Sequence, residues 1–137
     1  MVVCVGNELR GDDGVALLFY ENLKRDEEIG RVASVVKMGS GVTIKPFEQA
    51  ERVIVVDAVD FRGRPGEVKV FGLEEIEEMA GFTHKPALSA LLSSAGVKEV
   101  HIIGVQPKML EMGGEVSKEC VSAYSRVREV ILHLLSS

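Results

Sequence analysis

The stretch Val53-Ile54-Val55-Val56-Asp57-Ala58 places four β-branched residues in a row and then a carboxylate. A run of this kind, without polar alternation, is typical of a strand buried on both faces of a parallel sheet. Because helical patterns alternate with strand patterns along the chain, the sequence predicts a three-layer α/β fold with helices on both faces. The sheet would be twisted, mostly parallel and of about five strands. The four other predicted strands are Met1–Val5, Arg31–Met38, Glu67–Phe71 (a possible edge) and Val100–Val105.

The predicted helices are Asp12–Lys24, Thr43–Gln49, Leu73–Met79, Pro86–Ser94 and Val116–Leu135. The last of these is expected to be one long amphipathic helix with Ser117 as its cap. The chain has 137 residues, and no repeat or linker rich in Pro, Gly or Ser divides it. A single domain spanning residues 1–137 is therefore predicted.

Composition excludes several classes of function. The net charge is −5 and there is no Trp and no basic stripe, so no electrostatic footprint for nucleic acid is present. No apolar run has the length of a membrane span, and the first residues do not resemble a secretion signal. Cys4 and Cys120 lie in apolar patterns without CxxC spacing. We expect both to be core thiols of a cytoplasmic protein; no oligomeric state is predicted.

Acidic residues and a histidine fall in the loops that follow the predicted strands, where ligands of open parallel sheets bind. Asp13 lies in the loop after the first strand, Asp57 ends the third, and His84 precedes a predicted helix. Together they would supply two carboxylates and one imidazole around one point, a donor set that suits zinc or nickel. We expect them to be exposed in a cleft.

Each candidate also has a structural interpretation. Asp12 is expected to cap its own helix, and Asp57 could simply end a strand at a turn. His84 alone could be an ordinary loop residue, and His101 and His133 are better explained as structural. No GxSxG elbow, exposed cysteine, GxGxxG or Walker lysine motif is present. If the chain is an enzyme, metal-assisted hydrolysis is the natural class of reaction for these residues.

Four motifs in order resemble the nickel–iron hydrogenase maturation endopeptidases. The stretch Gly6-Asn7-Glu8-Leu9-Arg10-Gly11-Asp12-Asp13-Gly14-Val15 is similar to the Gly-Asn signature of that family. Val53–Ala58, His84 and the Gly104-Val105-Gln106-Pro107 segment match its other motifs. The chain departs from the family at Lys37-Met38-Gly39-Ser40-Gly41, where an Asp-Gly-Gly-Thr-type segment is common, and at Cys4, where a glycine is usual.

The resemblance implies a single cut that removes the C-terminal extension of a hydrogenase large-subunit precursor after nickel insertion. The metal-contacting residues carried over are Asp13, Asp57 and His84, with Asp13 and Asp57 also the catalytic candidates. The metal would be nickel supplied by the substrate, for which zinc or cadmium could substitute. The partner would be the large-subunit precursor, and neither nucleic acid nor a membrane is implied.

Two alternatives remain open at this point. Asp12, Asp13, Asp57 and Lys108 resemble the acidic pocket and lysine of a response-regulator receiver domain, which would make Asp57 a phosphoacceptor. That interpretation leaves His84 unexplained, and Pro107 precedes Lys108 rather than following it. A non-catalytic partner-binding module is the other alternative.

Overall fold

The sheet of this computed structural model confirms the predicted α/β class. The structure describes residues 1–6, 11–38, 50–78, 96–108 and 114–136. In these ranges the strands are β1 (Val2–Val5), β2 (Val35–Met38), β3 (Arg52–Ala58), β4 (Val68–Gly72) and β5 (Glu99–Val105). Their order is β2-β1-β3-β5-β4. β4 runs antiparallel to β5 at the edge, as its alternating sequence suggested, and the other pairs are parallel.

The helices lie between these strands. A 3₁₀ turn (Gly11–Gly14) leads into α1 (Val15–Arg25), which is followed by α2 (Glu27–Gly30), α3 (Leu73–Glu77), α4 (Lys118–Val121) and α5 (Tyr124–Leu135). The predicted helices Thr43–Gln49 and Pro86–Ser94 lie outside the described residues. No helix in the described ranges is long and apolar enough to cross a membrane.

Each face of the sheet has its own apolar core. Alternate residues of β3 point to opposite faces of the sheet. Ile54 and Val56 pack with α1 and α5 on one face. Val53 and Val55 pack on the other face, which α3 covers. Both faces of β3 are therefore buried, as its run of β-branched residues predicts. The three-layer arrangement follows, with helices on both sides of the sheet.

The prediction of one long C-terminal helix is wrong. Residues 122–123 form a turn between α4 and α5. The hydroxyl of Ser122 donates to the carbonyl oxygen of Lys118 at 2.8 Å, and the Ala123 N–H donates to the carbonyl of Cys120, three residues back. Such local bonding competes with a regular helix. The predicted cap is confirmed, because the Ser117 hydroxyl accepts from the Cys120 N–H at 3.3 Å.

Candidate active site

Asp57 lies at the carboxyl end of the central strand β3. The register pairs Cys4 with Val56, so the next residues, Val5 and Asp57, stand side by side where β1 and β3 end. On its other side Asp57 is paired with Gly104 of β5. A Cβ on Gly104 would stand 3.0 Å from side-chain carbons of Phe71 and Val59, closer than ordinary packing allows. A side chain at Gly104, beside Asp57, would therefore force these neighbours to shift by a few tenths of an ångström.

Asp13 is held against the end of the neighbouring strand β1. The 3₁₀ turn that contains Asp13 packs beside β3. Its backbone carbonyl oxygen lies 2.2 Å from the position that a Cβ on Gly6 would occupy, so glycine is required for this close approach. Two of the three predicted site residues therefore belong to the same edge of the sheet. His84, the third, lies outside the described residues, and the convergence of all three stays a prediction.

The expectation that these carboxylates are exposed is wrong. Asp13 is 5% exposed and Asp57 is fully buried. The sheet core continues past Asp57, because Ala58 and Val59 are buried as well. Within the described part of the chain, no three His, Cys, Asp or Glu side chains form a group able to hold a metal ion. In the predicted site, His84 supplies the third donor beside these two carboxylates.

The prediction that Asp12 caps its own helix is wrong. Asp12 is fully buried. Its Oδ2 accepts hydrogen bonds from the Lys108 N–H at 2.7 Å and the Ser117 hydroxyl at 2.9 Å, and its Oδ1 accepts from the Ser117 N–H at 2.6 Å. The N-cap of α1 is Gly14, which offers no side-chain bond. Asp12 therefore joins its turn to the segment after β5 and to the start of α4.

Gln106 is a structural residue of the site that sequence reasoning missed. It is buried. Its Oε1 accepts from the backbone N–H groups of Phe61 and Gly63 at 2.9 and 3.0 Å, and its Nε2 donates to Asp60 Oδ1 at 3.0 Å. These bonds hold the loop that follows Asp57. The available signal was a polar side chain placed directly after the apolar strand β5 and before Pro107.

Neither cysteine is suited to act as a nucleophile. Burial raises the pKa of Cys4 to about 12 and that of Cys120 to about 11. Cys120 Sγ donates to the carbonyl oxygen of Gln106 at 3.3 Å. The prediction that both are buried core thiols is confirmed. His101 lies in β5, with Nε2 3.4 Å from Glu99 Oε1, and His133 lies in the last turn of α5, so both keep the structural positions expected.

The receiver-domain alternative is not favoured. A receiver has the doubly wound strand order 2-1-3-4-5, whereas here an antiparallel β4 occupies the edge beside β5. The candidate lysine makes a different contact, because Lys108 Nζ lies 2.7 Å from Glu119 Oε2. This ion pair lowers the pKa of Glu119 and raises that of Lys108, chiefly through the hydrogen bond between them.

A groove of about 580 Å³ begins at Gly14, immediately after Asp13. Its walls come from α1, β2, α4 and the segment before α4. Leu18 and Val121, which line it, are 49% and 45% exposed. The residue that follows Asp13 therefore lines a surface groove in which apolar side chains are turned to solvent.

Comparison with known proteins decides the family. The model of the family HycI, hydrogenase maturation protease, matches residues 20–134. The chain belongs to the hydrogenase maturation protease family. It is 30% identical over 118 residues to the hydrogenase 3 maturation protease of Escherichia coli K12, with 80% of this chain and 74% of the relative covered. The family resemblance carried by the four motifs is confirmed, and with it the class of protease.

Solved structures of the family have the same fold. The hydrogenase maturating endopeptidase HybD from Escherichia coli superposes with a TM-score of 0.80 at 18% identity, covering 98% of this chain and 90% of that one. The [NiFe] hydrogenase maturation protease HybD from Thermococcus kodakarensis gives a TM-score of 0.74 at 25% identity, with 98% and 97% covered. The mostly parallel five-stranded sheet is thus the fold of this family.

Proposed function

We propose that this protein removes the C-terminal extension of a nickel–iron hydrogenase large-subunit precursor after nickel has been inserted. Membership of the hydrogenase maturation protease family supports the class of substrate. The observation that supports the site is that two buried carboxylates belong to one edge of the sheet: Asp57 lies near the end of β3, and Asp13 lies in the turn packed against the end of the adjacent β1. The precursor would lie along the groove that begins at Gly14.

The nickel is proposed to arrive with the substrate and to serve as the recognition element. Asp13, Asp57 and His84 would contact it, and zinc or cadmium would be surrogates in vitro. This donor set is incomplete, since the chain has two cysteines and both are buried in the core. Cys4 packs with Ile54 and Val56 in the apolar core on one face of the sheet, whereas Val55 belongs to the core on the other face. Such a site holds a free ion weakly and engages an ion already bound by thiolates of the partner.

The proposed reaction is hydrolysis of one peptide bond. A water molecule adds to the scissile carbonyl carbon, the C–N bond breaks, and the leaving amine takes up a proton. Asp13 or Asp57 would accept the proton of the attacking water and return it to the amine. The two free thiols of this chain are consistent with a cytoplasmic site of action.

Replacement of each proposed contact residue tests this function. In Asp13→Asn, Asp57→Asn and His84→Ala we expect processing of a cognate precursor to fall by about a hundredfold or more, while the variants remain folded. The matched control is Glu129→Gln, a carboxylate on the exposed side of α5 whose side chain is 71% exposed. Full processing by any one of the three variants would remove that residue from the site. Binding of precursor by wild type without cleavage would instead favour a non-catalytic binding module.

A further inference from the structure

Asp12 is a buried carboxylate that accepts hydrogen bonds from residues far away in the sequence. Its partners Lys108 and Ser117 are 96 and 105 residues away in sequence. Burying a carboxylate is costly unless charge-assisted hydrogen bonds compensate for lost hydration. The three donors at 2.6–2.9 Å supply that compensation. A buried carboxylate bonded in this way fixes the relative position of the segments it joins.

The segments that Asp12 joins surround Asp13. On one side, Asp13 is pressed against the end of β1, where its carbonyl oxygen closely approaches Gly6. On the other side, Asp12 connects the same turn to the segment after β5 and to Ser117, the N-cap residue of α4. A second connection between the segment after β5 and α4 is the ion pair of Lys108 Nζ with Glu119. Asp12 and Asp13 are neighbours in one 3₁₀ turn, so a backbone shift of this turn at Asp12 would also move Asp13.

We propose that Asp12 is a positioning residue that holds Asp13 in register with Asp57 for peptide-bond cleavage. The inference rests on the proposed function and adds to it a residue that does not touch the substrate. Active-site groups displaced by about 1 Å can lose a hundredfold in rate, so a tie one residue away is expected to affect turnover strongly. A tie that served stability alone would leave turnover per folded molecule unchanged.

The contacts of Asp12 indicate which substitution tests its role. Asp12→Asn keeps the shape but replaces one acceptor oxygen with an N–H₂ donor. Oδ1 faces the Ser117 N–H and Oδ2 faces the Lys108 N–H, so either orientation of the amide places a donor against a backbone donor. Ser117→Ala is the milder second variant, because it leaves both backbone bonds to Asp12 and removes only the hydroxyl that donates to Asp12 and caps α4. Ser122→Ala is the matched control, since its exposed hydroxyl bonds within its own helical segment.

The experiment measures kcat and KM for precursor processing together with amide hydrogen exchange, at a temperature where all variants are folded. We expect kcat of Asp12→Asn to fall about a hundredfold with KM unchanged. Exchange at Lys108, Ser117 and Asp13 should accelerate in the same variant. Ser117→Ala should show a smaller fall in kcat, and Ser122→Ala none.

Wild-type turnover per folded molecule in Asp12→Asn would overturn the proposal, as would a loss that tracks only the unfolded fraction. If wild type cleaves no precursor, the proposed function fails, and the exchange data still decide on Asp12. Faster exchange at Asp13 in Asp12→Asn, absent from Ser122→Ala, would then support its positioning role. Unchanged exchange at Asp13 would contradict it.

Discussion

The backbone carbonyl oxygen of Asp13 lies 2.2 Å from the point where a Cβ atom on Gly6 would stand. This contact joins the end of β1 to the turn that carries one of the two candidate carboxylates. Both groups in this contact belong to the backbone, so neither can rotate away as a flexible side chain would. The spacing between strand end and turn is therefore set by the absence of a side chain at Gly6.

Gly6→Ala is expected to be destabilising and to lower activity. The added methyl group would displace the carbonyl of Asp13, at a cost of about 1–3 kcal/mol, the usual range for overpacking. Urea denaturation measures the change in unfolding free energy, and precursor processing measures the displacement of Asp13. Gly30→Ala is the control, because nothing lies within 4 Å of its Cβ position. Equal stability of the two variants would contradict the close approach.

The sequence predicts the sheet well because its central strands are apolar throughout. β1, β3 and β5 were all located from their apolar runs, and the carboxyl-end position of Asp57 followed from the same pattern. Local sequence did not predict the break between α4 and α5, since a serine hydroxyl and the backbone compete there. The Gln106 amide was missed because its partner Phe61 is 45 residues away, and the roles of Asp12 depend on separations twice as long. Tertiary hydrogen bonds of this kind leave no periodic signal.

Gln106→Leu is expected to loosen the loop after β3 and to change its response to acid. Loss of the amide leaves the N–H groups of Phe61 and Gly63 without this acceptor, at a cost of about 1–3 kcal/mol. The hydrogen bond from Gln106 is also the largest cause that lowers the pKa of Asp60 below 3.8. We therefore expect the Asp60 pKa to rise toward 3.8 in the variant, as followed by NMR titration.

The sign of the pH effect follows from that lowered pKa. In wild type the charged form of Asp60 is favoured on folding, so its contribution to stability is present above pH 3.8 and is lost as the pH falls through the folded value. Gln106→Leu should accordingly lose less additional stability than wild type on acidification below that point. Arg62→Gln gives the comparison, because it retains the backbone N–H that donates to Asp60 and removes only the charge of Arg62, a smaller cause of the lowered pKa, so a smaller rise of the Asp60 pKa is expected. An unchanged Asp60 pKa in Gln106→Leu would contradict this account.

Both thiols are expected to be inert in the folded protein. Because burial raises the pKa of Cys4 to about 12 and of Cys120 to about 11, the thiolate fraction at pH 8 is very small. A thiol-disulfide exchange reagent should label neither residue in native protein and both after unfolding, without loss of processing activity in the native sample. Rapid native labelling accompanied by inactivation would place a cysteine in the reaction.

The dependence of cleavage on the nickel carried by the substrate is the central claim. The proposed donor set of two carboxylates and one imidazole, with no free thiol of this chain at the surface in the described ranges, would suit an ion that the partner already holds. The protein should therefore distinguish two precursors that differ only in metal content. A cognate precursor can be produced with and without nickel and purified in both forms.

The most direct measurement is the mass of the large subunit after each precursor has been incubated with purified protein. We expect the nickel-loaded precursor to lose its C-terminal extension and the nickel-free precursor to remain intact. Asp57→Asn, run in parallel, should leave both forms uncut. Equal cleavage of the two forms by wild type would contradict recognition through nickel, and cleavage of neither would contradict the proposed protease function.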